Sequence, residues 1–128
     1  MTWNEKKRVD YNKRANGETD MEEVISREEL LKQVKSAVQA LEPEAEVILY
    51  GSRARGTARA DSDWDFLILL PEPVDRGLEM RIKDCLYDIE LETDTVLSSI
   101  IRGKQEWLSK RYEVVPLRQE IERDGMVV

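Results

Sequence analysis

Leu49 to Leu70 reads LYGSRARGTARADSDWDFLILL, and the order of its parts sets the architecture. It opens at the end of the apolar run Val47-Ile48-Leu49-Tyr50, turns through Gly51-Ser52, crosses a loop bearing Arg53, Arg55 and Arg59, and delivers Asp63 and Asp65 into a second apolar run. A glycine after a short apolar run can take a left-handed turn or let another group approach the backbone closely. Phe66 to Leu70 is almost continuously apolar, the pattern of a strand covered on both faces and therefore interior to its sheet. The stretch is strand, loop, strand, with its polar chemistry held between the two.

Asp63 and Asp65 are alternate residues, so on an extended backbone their side chains share one face while Trp64 and Phe66 take the other. Two adjacent carboxylates repel, which makes ionising both costly unless a cation lies between them. An all-oxygen donor set suits Mg²⁺ or Mn²⁺, and Mg²⁺ commonly completes its shell with water and substrate phosphates. Ser52 offers a hydroxyl and an amide where a phosphate oxygen can sit, and three arginines invert the local field of an acidic chain. Together these residues are expected to form a metal–nucleotide site.

Gly51-Ser52 followed by Asp63-Trp64-Asp65, between two apolar strands, resembles the nucleotidyltransferase superfamily that includes DNA polymerase β, and within it the minimal nucleotidyltransferases. The resemblance in arrangement runs from about Arg27 to about Val128, while its specific part is Gly51 to Asp65. It implies an α/β (α+β) fold: a single small domain with one mixed sheet and helices mainly on one face. It also implies Mg²⁺-dependent transfer of a nucleoside monophosphate, AMP from ATP, to an acceptor hydroxyl. Asp63 and Asp65 are then the metal ligands and catalytic carboxylates, and Gly51, Ser52, Arg53 and Arg55 the nucleotide-binding residues. The family further carries a third carboxylate on the strand after the next helix.

Where that strand lies depends on Asp75 to Asp94. Leu78, Ile82, Cys85, Leu86 and Ile89 recur at helical spacing, yet Tyr87, Ile89 and Leu91 alternate with acids as in a strand. The helix is favoured because it leaves Thr95 to Arg102, with Val96-Leu97 and Ile100-Ile101, to form the strand. Its centre is then Ser98-Ser99, and Glu92 and Asp94 at the junction are the candidates for the third acid; if residues 86 to 92 form the strand instead, Asp88, Glu90 or Glu92 supplies it. Such a departure from the family pattern keeps two other readings open. One is a nucleotide-binding antitoxin or regulatory subunit of a toxin–antitoxin pair, working with a separate helical partner protein. The other is a transferase acting on a small molecule, as aminoglycoside-modifying members do, generally with a further domain.

Outward from this centre, Ser26 and Glu29 have the spacing of a capping box, and Leu30, Leu31, Val34, Val38 and Leu41 follow at helical intervals up to Pro43. Residues 1–25 are polar, mixed in charge and interrupted by Asn16-Gly17, and are expected to be an arm; Met21 is a plausible natural start. The domain is expected over 26–128. Lys104 to Lys110 is predicted to be a short helix, Pro116 to open a last one over Leu117 to Arg123, and Met126 to Val128 to be a strand or docking segment.

The 128 residues, 41% hydrophobic and 37% charged, suit one domain of modest core. A lone Cys85 and no histidine exclude a disulfide framework, a Cys/His zinc site and Ser–His catalysis. No apolar run approaches the ~20 residues that span a bilayer, and the N-terminal WNEKKR is unlike a signal peptide, so a cytoplasmic protein is expected. A formal charge of −7 argues against broad nucleic-acid binding.

Overall fold

The computed structural model describes residues 25–128, so the expected polar arm lies outside the described residues except for Ile25. Helix α1, Arg27–Leu41, starts where the sequence signals it: Ser26 Oγ accepts a hydrogen bond from the Glu29 amide at 3.1 Å. Its Leu30, Leu31, Val34 and Val38 are fully buried. Glu42, restricted by the following proline, is extended and ends the helix.

Strand β1, Glu46–Tyr50, sends Val47 and Leu49 toward α1 and Ile48 and Tyr50 to the opposite face. The one-turn helix α2, Ser52–Arg55, leads through a loop into β2, Trp64–Leu70, which returns antiparallel with Tyr50 opposite Asp65. Helix α3, Arg76–Thr93, is capped by Asp75, whose carboxylate accepts from the Gly77 amide. It crosses over the sheet to β3, Leu97–Gly103, which runs parallel to β2. Three short helices follow, α4 (Lys104–Trp107), α5 (Lys110–Glu113) and α6 (Pro116–Asp124), before β4, Met126–Val127, pairs with β1. The mixed sheet has the order β3-β2-β1-β4.

The helical reading of 75–94 therefore holds, and β3 begins two residues later than expected. The reason is local. Asp94 caps α3 in the left-handed conformation (φ 56°), which Asp tolerates better than most residues. Glu90 then accepts the Leu97 amide at 2.7 Å, and the Trp64 amide donates to the Val96 carbonyl, so pairing starts at Leu97. The predicted helix over 104–110 is instead two separate turns. Ser109 is extended and its hydroxyl donates to the Glu106 carbonyl, the local bond by which serine competes with a continuing helix. Arg118 donates to the carbonyls of Trp107 and Ser109 that the break exposes.

The long helices α1 and α3 share one face of the sheet with Phe66, Ile68 and Leu70. The other face holds a smaller cluster of Tyr50, Leu67, Leu69, Trp107 and Ile121 under the short helices. This second cluster stops at the end of the sheet where Asp65 begins, which leaves the acid pair at its border.

Candidate active site

The turn out of β1 is built by Gly51, at φ 77° and ψ −159°, a region open essentially to glycine alone. It starts α2, whose single turn is closed by amides of Ala54 and Arg55 on the Gly51 carbonyl and by Gly56 in the left-handed region. A Cβ on Gly51 would stand 2.4 Å from Asp65 Oδ2. The missing side chain is thus what lets the carboxylate of one strand lie against the turn leaving its neighbour.

Asp63 is exposed and Asp65 half-buried. Burial, then the charges of Asp63 and Glu120, hold the Asp65 carboxyl above the ordinary range, with Arg55 acting in the opposite sense. The neighbouring Tyr50 phenol is also pushed up, first by burial and then by Asp65 and Glu120. Glu120, on α6, pairs with Arg55 at 3.2 Å. It is a member of the constellation that sequence reasoning missed, because nothing in the order of residues places α6 over the Asp65 face. The periodicity of Leu117 and Ile121 marks a buried face but not the surface it meets.

The donor set fits a divalent cation: two carboxylates project from alternate positions, and a cation would offset the burial and, after it, the Asp63 charge that raise Asp65. Among the described residues no group of three or more His, Cys, Asp or Glu gathers to enclose a metal. Such an ion would take its remaining ligands from water or phosphate, as Mg²⁺ commonly does. The Ser52 hydroxyl makes no hydrogen bond among the described residues.

The two arginines nominated for nucleotide are placed differently. Arg53 is a strut for the loop: Nη2 donates to the carbonyls of Ala60 (3.2 Å) and Ser62 (2.9 Å), and the guanidinium stacks 4.2 Å from the Trp64 ring centroid. Its Nε is buried without a partner among the described residues. Its donors thus hold the loop that carries Asp63 instead of pointing to the acid pair. Arg55 is exposed and acts on Asp65 directly. We expect Arg53→Met to cost about 2 kcal/mol in urea unfolding, through lost charged hydrogen bonds and stacking. Arg55→Met, which breaks only an exposed ion pair, should cost about 0.5 kcal/mol or less.

Glu92 and Asp94 are at the same end of the sheet, but they line a cavity of about 1040 Å³ bounded by Arg53, Asp61 and Trp64. Neither is among the groups that shift Asp65. On β3 the residue paired with Asp65 is Ser98. In-register residues of adjacent strands face the same way, so the position level with the pair carries a hydroxyl and not a third carboxylate.

No curated protein matches the chain in sequence. A solved structure of a minimal nucleotidyltransferase superimposes with a TM-score of 0.54 and 23% identity, covering 81% of this chain and 97% of that one. The crystal structure of a toxin–antitoxin with AMP-PNP gives a TM-score of 0.53 and 16% identity, over 75% of this chain and 69% of that one. At these identities the likeness is one of fold. The family model for the nucleotidyltransferase domain matches residues 31–127, a span that takes in both strands, the Gly51 turn and the two aspartates, and the chain belongs to that family.

Proposed function

We propose that the chain transfers AMP from ATP to an acceptor hydroxyl. The acceptor oxygen bonds to the α-phosphorus, the bond from that phosphorus to the bridging oxygen breaks, and pyrophosphate leaves. The observation that carries this reading is the Asp65 carboxylate seated against the Gly51 turn beside Asp63, with Arg55 on its flank. Asp63 and Asp65 would hold Mg²⁺ or Mn²⁺, which supplies charge neutralisation at the reacting phosphate. Gly51 leaves room for the triphosphate to approach the backbone, and Ser52 offers its hydroxyl to a phosphate oxygen. Arg55 exchanges Glu120 for the charge that develops on pyrophosphate. Arg53 acts through the loop, as a positioning residue for Asp63. Glu92 and Asp94, which line the adjoining cavity, would take the acceptor's proton through water. The choice of adenine rests on the AMP-PNP in the toxin–antitoxin relative.

A second reading is favoured by Ser98: without a third carboxylate on β3, the chain binds Mg-ATP as the subunit of a pair and turns over only with a helical partner protein. Thermal melting with Mg-ATP tests what the two readings share. A ligand that binds only the folded state at 100 times its Kd adds about 2.7 kcal/mol, so a rise of several degrees is expected with Mg-ATP. ATP with chelator should give little. No shift at millimolar Mg-ATP would overturn both readings; where the shift is seen, labelled ATP with the isolated chain separates them.

A further inference from the structure

We propose that α3 is a self-association face on which two copies of this chain pack antiparallel. Its inner side, Ile82, Leu86 and Ile89, is buried against the sheet. On its outer side Met80, Tyr87 and Leu91 are 59%, 58% and 66% exposed. Spacings of seven and four residues align the three in one stripe along the helix.

The charges beside the stripe identify the occupant. Arg81 and Asp88 are exposed, lie along the same side of the stripe, and have no ion pair among the described residues. Several other cations of the described residues also lack an ion pair, but Arg81 and Asp88 are the opposite charges that share one flank of the stripe. A base toward one end of a helix face and an acid toward the other make a self-complementary pattern, which a two-fold axis satisfies twice. With that axis passing between Asp84 and Cys85, Arg81 of each copy is level with Asp88 of the other. Met80 then inserts between Tyr87 and Leu91 of the second copy, knob into hole. In a parallel pairing the flank that carries Arg81 and Asp88 lies against the opposite flank of the second copy, and the two residues do not meet. Asp84 lies on the stripe near the axis, where its counterpart repels it, and it opposes association.

Three apolar side chains with their flanks bury less than the ~1,200 Å² of a stable interface. The dimer is therefore one that forms at high concentration. It goes beyond the nucleotidyl-transfer reading, and mass, its readout, does not depend on activity. Sedimentation equilibrium at ~150 mM salt, which screens the net negative charge over about 8 Å, should show the mass rising from 14.9 kDa toward twice that as concentration increases into the hundreds of micromolar. Leu91→Glu should stay monomeric with its melting temperature unchanged, and Asp84→Asn should associate about tenfold more tightly. Arg81→Asp and Asp88→Arg should each weaken the dimer, and the double variant should recover it, because the two residues meet only between copies. A wild-type chain that stays monomeric throughout overturns the proposal, as does Leu91→Glu associating normally or a double variant no better than the singles.

Discussion

Asp65→Asn is expected to lower Mg²⁺-dependent transfer about a thousandfold or more while leaving the chain folded and slightly more stable without metal. Loss of a metal ligand removes several kcal/mol of transition-state charge stabilisation, and each ~1.4 kcal/mol is a factor of ten in rate. The stability gain comes from the same carboxylate. Its pKa is raised in the folded state by burial, then Asp63 and Glu120, so the fold binds the Asp65 proton more tightly than the unfolded chain does. Its contribution is then most favourable at low pH and is lost as pH rises from the unfolded value through the raised one. At neutral pH the charged side chain costs stability, and the amide does not. Because the site is only half-buried and solvent screens the charges, the gain should be below about 1 kcal/mol, or ~4 °C in Tm. The difference between variant and wild type should shrink as pH falls below the ordinary carboxylate range. Melting curves against pH, paired with a labelled-ATP assay, check both halves. An Asp65→Asn chain that unfolds would make the pair structural, and one with undiminished turnover would remove it from the chemistry.

Gly51→Ala should do the opposite to stability and the same to function. The substitution forces a side chain into a backbone region that costs about 1–3 kcal/mol for a residue with a Cβ. It also sets that Cβ 2.4 Å from Asp65 Oδ2, so the carboxylate must move or the turn must open. We expect a loss of about 3 kcal/mol in denaturant unfolding, and at least a tenfold loss of Mg-ATP affinity in the fraction that remains folded. Asp65→Ala in the same chain should recover part of the stability, since it removes the atoms the new Cβ meets, and should recover none of the binding. Full stability in Gly51→Ala alone would show that the turn adapts and that the close approach of the two residues is incidental.

What was legible in the sequence was whatever depends on neighbours along the chain. Ser26 with Glu29, and the spacing of Leu30, Leu31, Val34 and Val38, are local and specify α1. The alternation of Asp63 and Asp65 against Trp64 and Phe66 specifies which face of β2 is acidic, because a strand has a period of two wherever it lies. The resemblance carried by Gly51-Ser52 and Asp63-Trp64-Asp65 brought the family with it. Asp75 to Asp94 was ambiguous by periodicity, and the leftover strand residues decided it.

The sheet and the helices above it decided the rest. Four arginine side chains look alike in sequence, yet Arg27 and Arg53 support the loop from within, donating to backbone carbonyls, while Arg55 meets Glu120 across 65 positions of chain and Arg59 stays exposed. Glu120 reaches the Asp65 face only because Ile121 packs with Tyr50, Leu67 and Leu69. Glu92 and Asp94 line the adjoining cavity because the left-handed cap at Asp94 turns the chain there, and the strand register sets Ser98 beside Asp65. A one-residue change in that register would present a different side chain to the other face, so no reading of local pattern could have named the residue opposite the pair. Charge, burial and pairing at the site are sums over elements distant in sequence, and those sums exist only once the sheet has formed.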